Sequence, residues 1–119
     1  MVQIMSAEMD PMIKQCIKDC IDCHSSCLET MRHCLHMGGK HAGPSHITLM
    51  IDCAEICQTS ADFMLNGSEY IHKVCEVCAE ICDKCAESCE RIDPDDRHME
   101  SCAGICRICA GSCRQMAGM

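Results

Sequence analysis

The chain has 119 residues and a formal net charge of −8, and it contains 16 Cys, 11 Met, one Phe, one Tyr and no Trp. This length suits one small domain, and so few aromatic rings cannot form its core. The negative charge argues against nucleic acid and anionic membranes as partners, because both attract basic surfaces. The most apolar stretch, residues 47–56, is interrupted by Asp52 and Glu55, so we expect no membrane-spanning helix.

Capping residues and helix breakers divide the chain into four predicted helices. An Asp-Pro pair is typical of a helix start, and a Gly-Gly pair ends that first segment. Ser45 is the predicted cap of the second helix, Ser68 opens the third, and Asp95 opens the fourth. The predicted helices cover approximately residues 11–37, 45–65, 68–91 and 95–116.

The short connections between these segments predict that consecutive helices are antiparallel neighbours. The sequence has no β-branched runs and no two-residue alternation that would indicate strands. We therefore predict an all-α fold, an antiparallel up-down-up-down four-helix bundle that forms a single domain over residues 1–119.

The cysteines repeat with helical spacing, since every gap between them within a segment is 3, 4 or 7 residues. At about 100° per residue, each set occupies an arc of roughly 40–80° on its helix. This is the narrow seam of a coiled coil, with Cys where Leu is usual, and it predicts a bundle core with a cysteine lining. The sixteen candidate metal ligands are Cys16, Cys20, Cys23, Cys27, Cys34, Cys53, Cys57, Cys75, Cys78, Cys82, Cys85, Cys89, Cys102, Cys106, Cys109 and Cys113.

Simple core packing is the alternative interpretation of this seam, because Cys behaves as a small, frequently buried hydrophobe. Each replacement of Leu by Cys loses packing volume and lowers the stability of the folded bundle by about 1 kcal/mol or more. A bundle that gives up this stability at nearly every layer is expected to hold something else in its core.

The N-terminus, MVQIMSAEMD, has neither a basic segment nor an apolar segment of the kind that signal peptides carry. We therefore expect a cytoplasmic protein whose thiols stay reduced. Such thiols favour metal binding over a disulfide scaffold.

Thiolates select Cu(I), zinc or iron–sulfur clusters. Four tetrathiolate Zn(II) sites would bury a charge of about −8, which carries a high desolvation cost. One Cu(I) per thiolate is neutral, and a thiolate can bridge adjacent Cu(I) ions. Iron–sulfur clusters need their thiolates around one compact unit, whereas the first seam extends over about 27 Å. Copper fits best, and an Fe–S electron carrier or a metallothionein-like zinc or cadmium buffer is the alternative.

The seam, with segments such as CIDCHSSC and CEVCAEICDKCAESCE, resembles the bacterial copper storage proteins. Without a signal peptide, the chain is similar to the cytosolic branch of that family. The resemblance implies a protein that stores many Cu(I) ions in four-helix bundles, with the inward cysteines as ligands, and that associates as a homotetramer. We also expect copper exchange with copper chaperones or small thiols.

Topology predicts which residues share each end of the bundle. The end formed by the C-termini of helices 1 and 3 collects His41 and Met99. It also collects three candidate metal ligands besides the cysteines, namely His46, Met50 and His98. Imidazole and thioether groups both bind Cu(I), so this end is a candidate entrance. The other end collects Met5, Met9, Met12, Met64 and Met116, which we interpret mainly as a hydrophobic closure, with a second port for ions as the alternative.

Nothing in the sequence indicates catalysis: it has no HExxH motif, no nucleotide loop and no carboxylate pair in the seam. A second apolar stripe on helix 1 lies about 80–140° from the cysteines and consists of Ile17, Ile21, Leu28 and Leu35. A thin bundle does not need this stripe for its own core, so we expect a homo-oligomer of a non-catalytic, high-capacity Cu(I) store.

Overall fold

Four long α-helices make up the computed structural model, which describes residues 10–118. They are α1 (Pro11–Met37), α2 (Pro44–Leu65), α3 (Ile71–Ile92) and α4 (Arg97–Ala117), with a short 3-10 helix at Gly39–Ala42. No strand occurs within residues 10–118. The all-α fold class is therefore confirmed.

The helices form a closed ring in chain order. Each helix packs against the next, and α4 packs back against α1. Short loops connect them, so neighbouring helices run antiparallel and the up-down-up-down bundle is confirmed. In the part of the chain that the structure describes, no helix is long and apolar enough to cross a membrane.

Side-chain caps fix two of the four helix starts. Asp10 caps α1 by accepting a 2.7 Å hydrogen bond from the backbone N–H of Met12. Asp96 caps α4, where its Oδ1 accepts from the backbone N–H of His98 at 2.9 Å and of Met99 at 3.3 Å. Both caps satisfy amide groups that have no partner within the helix.

Three helix starts differ from the sequence prediction by one to three residues. Helix α2 begins at Pro44 rather than Ser45, because the fixed backbone angle of proline suits the first helical position. Helix α3 begins at Ile71 rather than at Ser68, whose Oγ accepts from the N–H of Tyr70 at 3.0 Å and holds a turn. Helix α4 begins at Arg97 because Asp96, one residue after Asp95, supplies the cap.

The core consists of sulfur and of small side chains. All sixteen cysteines are fully buried. Alanine follows cysteine directly at five core positions, and these alanines lie beside the seam and are also buried, at Ala54, Ala79, Ala86, Ala103 and Ala110. Because alanine adds little bulk, the helices can approach closely and bring thiols from different helices into contact.

Candidate metal centre

The thiols of the four helices form one continuous column along the bundle axis. Neighbouring Sγ atoms lie 3.6–4.0 Å apart, and steps of this length lead from one end of the column nearly to the other. The path runs through Cys16, Cys113, Cys20, Cys109, Cys57, Cys82, Cys23, Cys106, Cys27 and Cys102. These separations exceed the S–S bond of about 2.05 Å, and all sixteen cysteines are free thiols.

Groups of four thiols in the column share members. Cys57 and Cys82 form one group with Cys78 and Cys109, and a second group with two other cysteines. Within each group all Sγ atoms lie within 4.8 Å of one another. With metal–sulfur bonds of about 2.3 Å, trigonal or tetrahedral ligation needs sulfurs about 3.8–4.0 Å apart. The column is therefore spaced for metal ions that share bridging thiolates.

Imidazole and thioether groups continue the column at the end of the bundle near the C-terminus of α1, which we call the histidine end. Cys34 Sγ lies 3.5 Å from His46 Nε2 and 3.4 Å from Met99 Sδ. The other ring nitrogen of His46, Nδ1, is 2.8 Å from Ser88 Oγ, which fixes the orientation of the imidazole. His46 and Met99 are both buried.

Met50 occupies the next layer of the histidine end. Its Sδ is 3.8 Å from Cys85 Sγ and 3.8 Å from Cys89 Sγ, and only 1% of the residue is exposed. The structure thus brings Met50 and His46 to the thiols, as the sequence predicts.

The structure does not bring His98 to the thiols. Its side chain is 69% exposed and its ring stacks on that of His33, with the ring centroids 4.2 Å apart. One helical residue turns the side chain by about 100°, so Met99 takes the seam position in place of His98. Sequence reasoning placed Met99 at this end but did not include it among the ligands, although it lies three residues before Cys102 and continues the seam spacing.

The opposite end is closed by methionines. Met64 and Met116 are buried, whereas Met12 is 41% exposed. Met5 and Met9 lie outside the described residues. Ser60 lies in the seam of α2 between Cys57 and Met64, and its fully buried Oγ has no hydrogen-bond partner within residues 10–118.

The chain matches the copper storage protein family over residues 9–118. It belongs to this family. The match includes all four helices, so the resemblance that the sequence suggested is confirmed.

Solved structures support the assignment to the copper storage protein family. A Nitrosospira multiformis protein is 51% identical, with a TM-score of 0.83, and the match covers 90% of this chain and 95% of that one. A Cu(I)-bound copper storage protein, BsCsp3, is 34% identical with a TM-score of 0.82, covering 89% and 98% of the two chains.

A curated relative, an uncharacterized cysteine-rich protein from Bacillus subtilis, is 35% identical over 71 residues. That match covers 60% of this chain and 66% of the relative, just under two thirds of its length.

Burial and mutual contact shift the pKa values of the thiols of this copper storage family member in both directions. Burial raises the pKa of Cys34 to about 11, assisted by the nearby charges of Asp96 and Cys102. Contact with Cys109 raises the pKa of Cys57 and lowers that of Cys78, since adjacent buried thiols cannot ionise together. Metal binding must therefore release protons from the column.

His46 is ready to bind metal at neutral pH, because burial lowers the pKa of its imidazole and keeps the ring neutral. In the tautomer whose Nδ1–H donates to Ser88 Oγ, the lone pair of Nε2 faces Cys34. Ser88 thus acts as a positioning residue for this imidazole.

Proposed function

We propose that this protein is a high-capacity store of Cu(I), holding about one ion per cysteine in the thiol column. The observation that carries the proposal is the sharing of thiols between overlapping groups. A discrete tetrathiolate zinc site needs four cysteines of its own. In a shared column, each thiolate bridges neighbouring ions, which suits the low coordination number of Cu(I).

Charge supports copper over zinc as the cargo. Zinc shared among so many thiolates leaves a net negative charge in a core without counterions, whereas Cu(I) and thiolate cancel one for one. The core contains no buried Lys or Arg within residues 10–118 that could offset such charge. The Cu(I)-bound state of BsCsp3, at 34% identity, also favours copper here.

The proposed ligands comprise all sixteen cysteines, with His46 and Met50 at the histidine end. We add Met99, because its thioether lies against Cys34. His98 is left out of the set, because its ring is on the surface. We also propose that the four helices act as a single domain and bind copper without catalysing a reaction.

The same geometry supports copper entry through the histidine end. Imidazole and thioether groups hold Cu(I) more weakly than thiolates do. A layer of such ligands lets ions enter and leave, and the thiols beyond retain them. We propose that copper chaperones or small thiols deliver ions at this end, in the cytoplasm.

Self-association is proposed from the second apolar stripe of α1. Ile21, Leu28 and Leu35 repeat every seven residues and are 41%, 42% and 55% exposed. An exposed apolar stripe on a thin bundle is typical of an interface between copies of the chain. A homotetramer is the proposed assembly, and sedimentation velocity measures it directly.

An anaerobic titration tests the storage proposal. Reduced protein receives Cu(I) in the presence of a chelator of known Cu(I) affinity, with a parallel Zn(II) titration. We expect roughly sixteen Cu(I) per chain, one per cysteine. Saturation at about four ions would instead indicate separate tetrathiolate sites, and tighter retention of Zn(II) than of Cu(I) would favour a zinc buffer.

A further inference from the structure

A cluster of imidazoles and carboxylates lies outside the thiol column, at the histidine end. His33 Nε2 is 2.7 Å from Asp96 Oδ2, and His41 Nε2 is 3.2 Å from the same oxygen. His41 Nε2 is also 3.4 Å from Asp93 Oδ2. We call this the His–Asp cluster, and it consists of His33, His41, Asp93 and Asp96.

Backbone hydrogen bonds hold both carboxylates of the cluster in position. Asp96 Oδ1 accepts the N–H groups at the start of α4, and Oδ2 remains directed at the two imidazoles. Asp93 Oδ1 accepts from the N–H of Asp95 at 3.2 Å, and its Oδ2 faces His41. Each carboxylate therefore directs its Oδ2 at the imidazoles, and both Oδ2 atoms face Nε2 of His41.

The imidazoles are restrained as well. His41 belongs to the 3-10 helix between α1 and α2, and its side chain is 7% exposed. His33 is held from one side by the stacked ring of His98. The four ligands come from three separate parts of the chain, and none belongs to the cysteine seam.

We propose that the His–Asp cluster is a second metal site, which binds one borderline divalent cation such as Zn²⁺ through two imidazole nitrogens and two carboxylate oxygens. Tetrahedral bonds of about 2.0–2.1 Å place ligand atoms about 3.3–3.4 Å apart. The N–O distances in the cluster, 2.7–3.4 Å, are close to this requirement. Binding needs only small side-chain shifts and the neutral tautomer of each imidazole that carries its proton on Nδ1, which leaves both Nε2 lone pairs for the ion.

Charge and ligand type separate this site from the copper column. Two carboxylates balance the charge of a divalent cation, and the two imidazoles are neutral. The occupied site therefore has no net charge at its partly buried position. Burial opposes ionisation of Asp96, but the hydrogen bonds from His33 and the Met99 amide outweigh it and lower the pKa of Asp96 to about 2. Nitrogen and oxygen ligands favour Zn²⁺ and similar ions, whereas Cu(I) favours the thiols.

Co²⁺ is the probe that tests the site, because its visible spectrum reports coordination and its charge-transfer bands report sulfur ligands. The thiols are first saturated with Cu(I), and Co²⁺ is then titrated anaerobically. Copper loading is followed on its own, so a failure of copper storage is seen before Co²⁺ is added. In a second titration, Ag⁺ replaces Cu(I) as the ion that blocks the thiols before Co²⁺ is added. We expect one Co²⁺ per chain, with visible bands and no thiolate charge transfer.

Variants with matched controls locate the ion. The double variant His33→Gln/His41→Gln should weaken Co²⁺ binding more than about 100-fold, since the loss of a hydrogen-bond partner of a metal ligand already costs about 10–100-fold. His36→Gln, an exposed histidine on the same helix, should leave it unchanged. Asp93→Asn should also weaken binding, whereas exposed Asp95→Asn should not. Absence of a bound Co²⁺, a spectrum with thiolate charge transfer, or equal weakening by His36→Gln would overturn the proposal.

Discussion

Replacing Cys57 with alanine tests the sharing of thiols most directly. Its Sγ lies 3.7 Å from Cys78, 3.6 Å from Cys82 and 3.8 Å from Cys109, and it belongs to two of the overlapping groups. If ions share bridging thiolates, the loss of this one sulfur disturbs both groups. We expect the Cu(I) capacity to fall by about one or two ions and the remaining ions of both groups to bind at least about tenfold more weakly.

The effect of Cys57→Ala on the apoprotein can be derived from burial. Cys57 is fully buried, so its removal loses roughly the transfer free energy of one methylene, about 0.8 kcal/mol, together with a small cavity. The free energy of unfolding should therefore decrease by about 1–2 kcal/mol. Urea denaturation of the metal-free, reduced protein measures this change separately from copper binding.

Ser60→Ala is the matched control. Ser60 lies three residues further along the same seam and is fully buried, and the change preserves all sixteen thiols. Its Oγ has no hydrogen-bond partner within residues 10–118, and leaving a buried hydroxyl unpaired costs about 1–3 kcal/mol. This variant should keep the full capacity and be equally or more stable. Equal copper loss in both variants, or wild-type capacity and affinities in Cys57→Ala, would refute the shared column.

Three further predictions follow from the column and its histidine end. The reduced apoprotein should already be helical by circular dichroism, since buried thiols pack as hydrophobes, and a chain that folds only on adding Cu(I) would contradict this. Met50→Leu conserves volume, so it should cost less than about 1.5 kcal/mol of stability but lower capacity by about one ion, whereas Met64→Leu should leave capacity unchanged. Because burial lowers the pKa of His46, the unfolded state binds its proton more readily, so apoprotein stability should fall as pH drops below about 6.5. His46→Gln should reduce that slope in urea titrations, and an unchanged slope would exclude this role.

The seam was predictable because helical periodicity requires only local spacing. Sixteen positions with gaps of 3, 4 or 7 residues specify one face of each helix, and loop length specifies the antiparallel order. The candidate ligands of the core therefore follow from the sequence without knowledge of the tertiary contacts. Helix starts were less certain, because neighbouring capping residues such as Asp95 and Asp96 compete for one position.

The ends of the bundle depend on tertiary contacts that spacing does not specify. His98 and Met99 differ by one residue, yet only Met99 reaches Cys34. The His–Asp cluster joins residues up to 63 positions apart, His33 and Asp96, through the 3-10 helix that orients His41. No short-range pattern in the sequence brings these groups together.

The composition of the core links capacity to helix packing. Each cysteine contributes less buried apolar area than leucine would, and the adjacent alanines let the helices approach closely enough for thiols to touch. Larger residues beside the seam would separate the helices and open the 3.6–4.0 Å spacing that bridging thiolates need. The apoprotein therefore gives up packing stability to keep this spacing. Copper that binds the folded column more tightly than the unfolded chain should therefore restore stability as it loads.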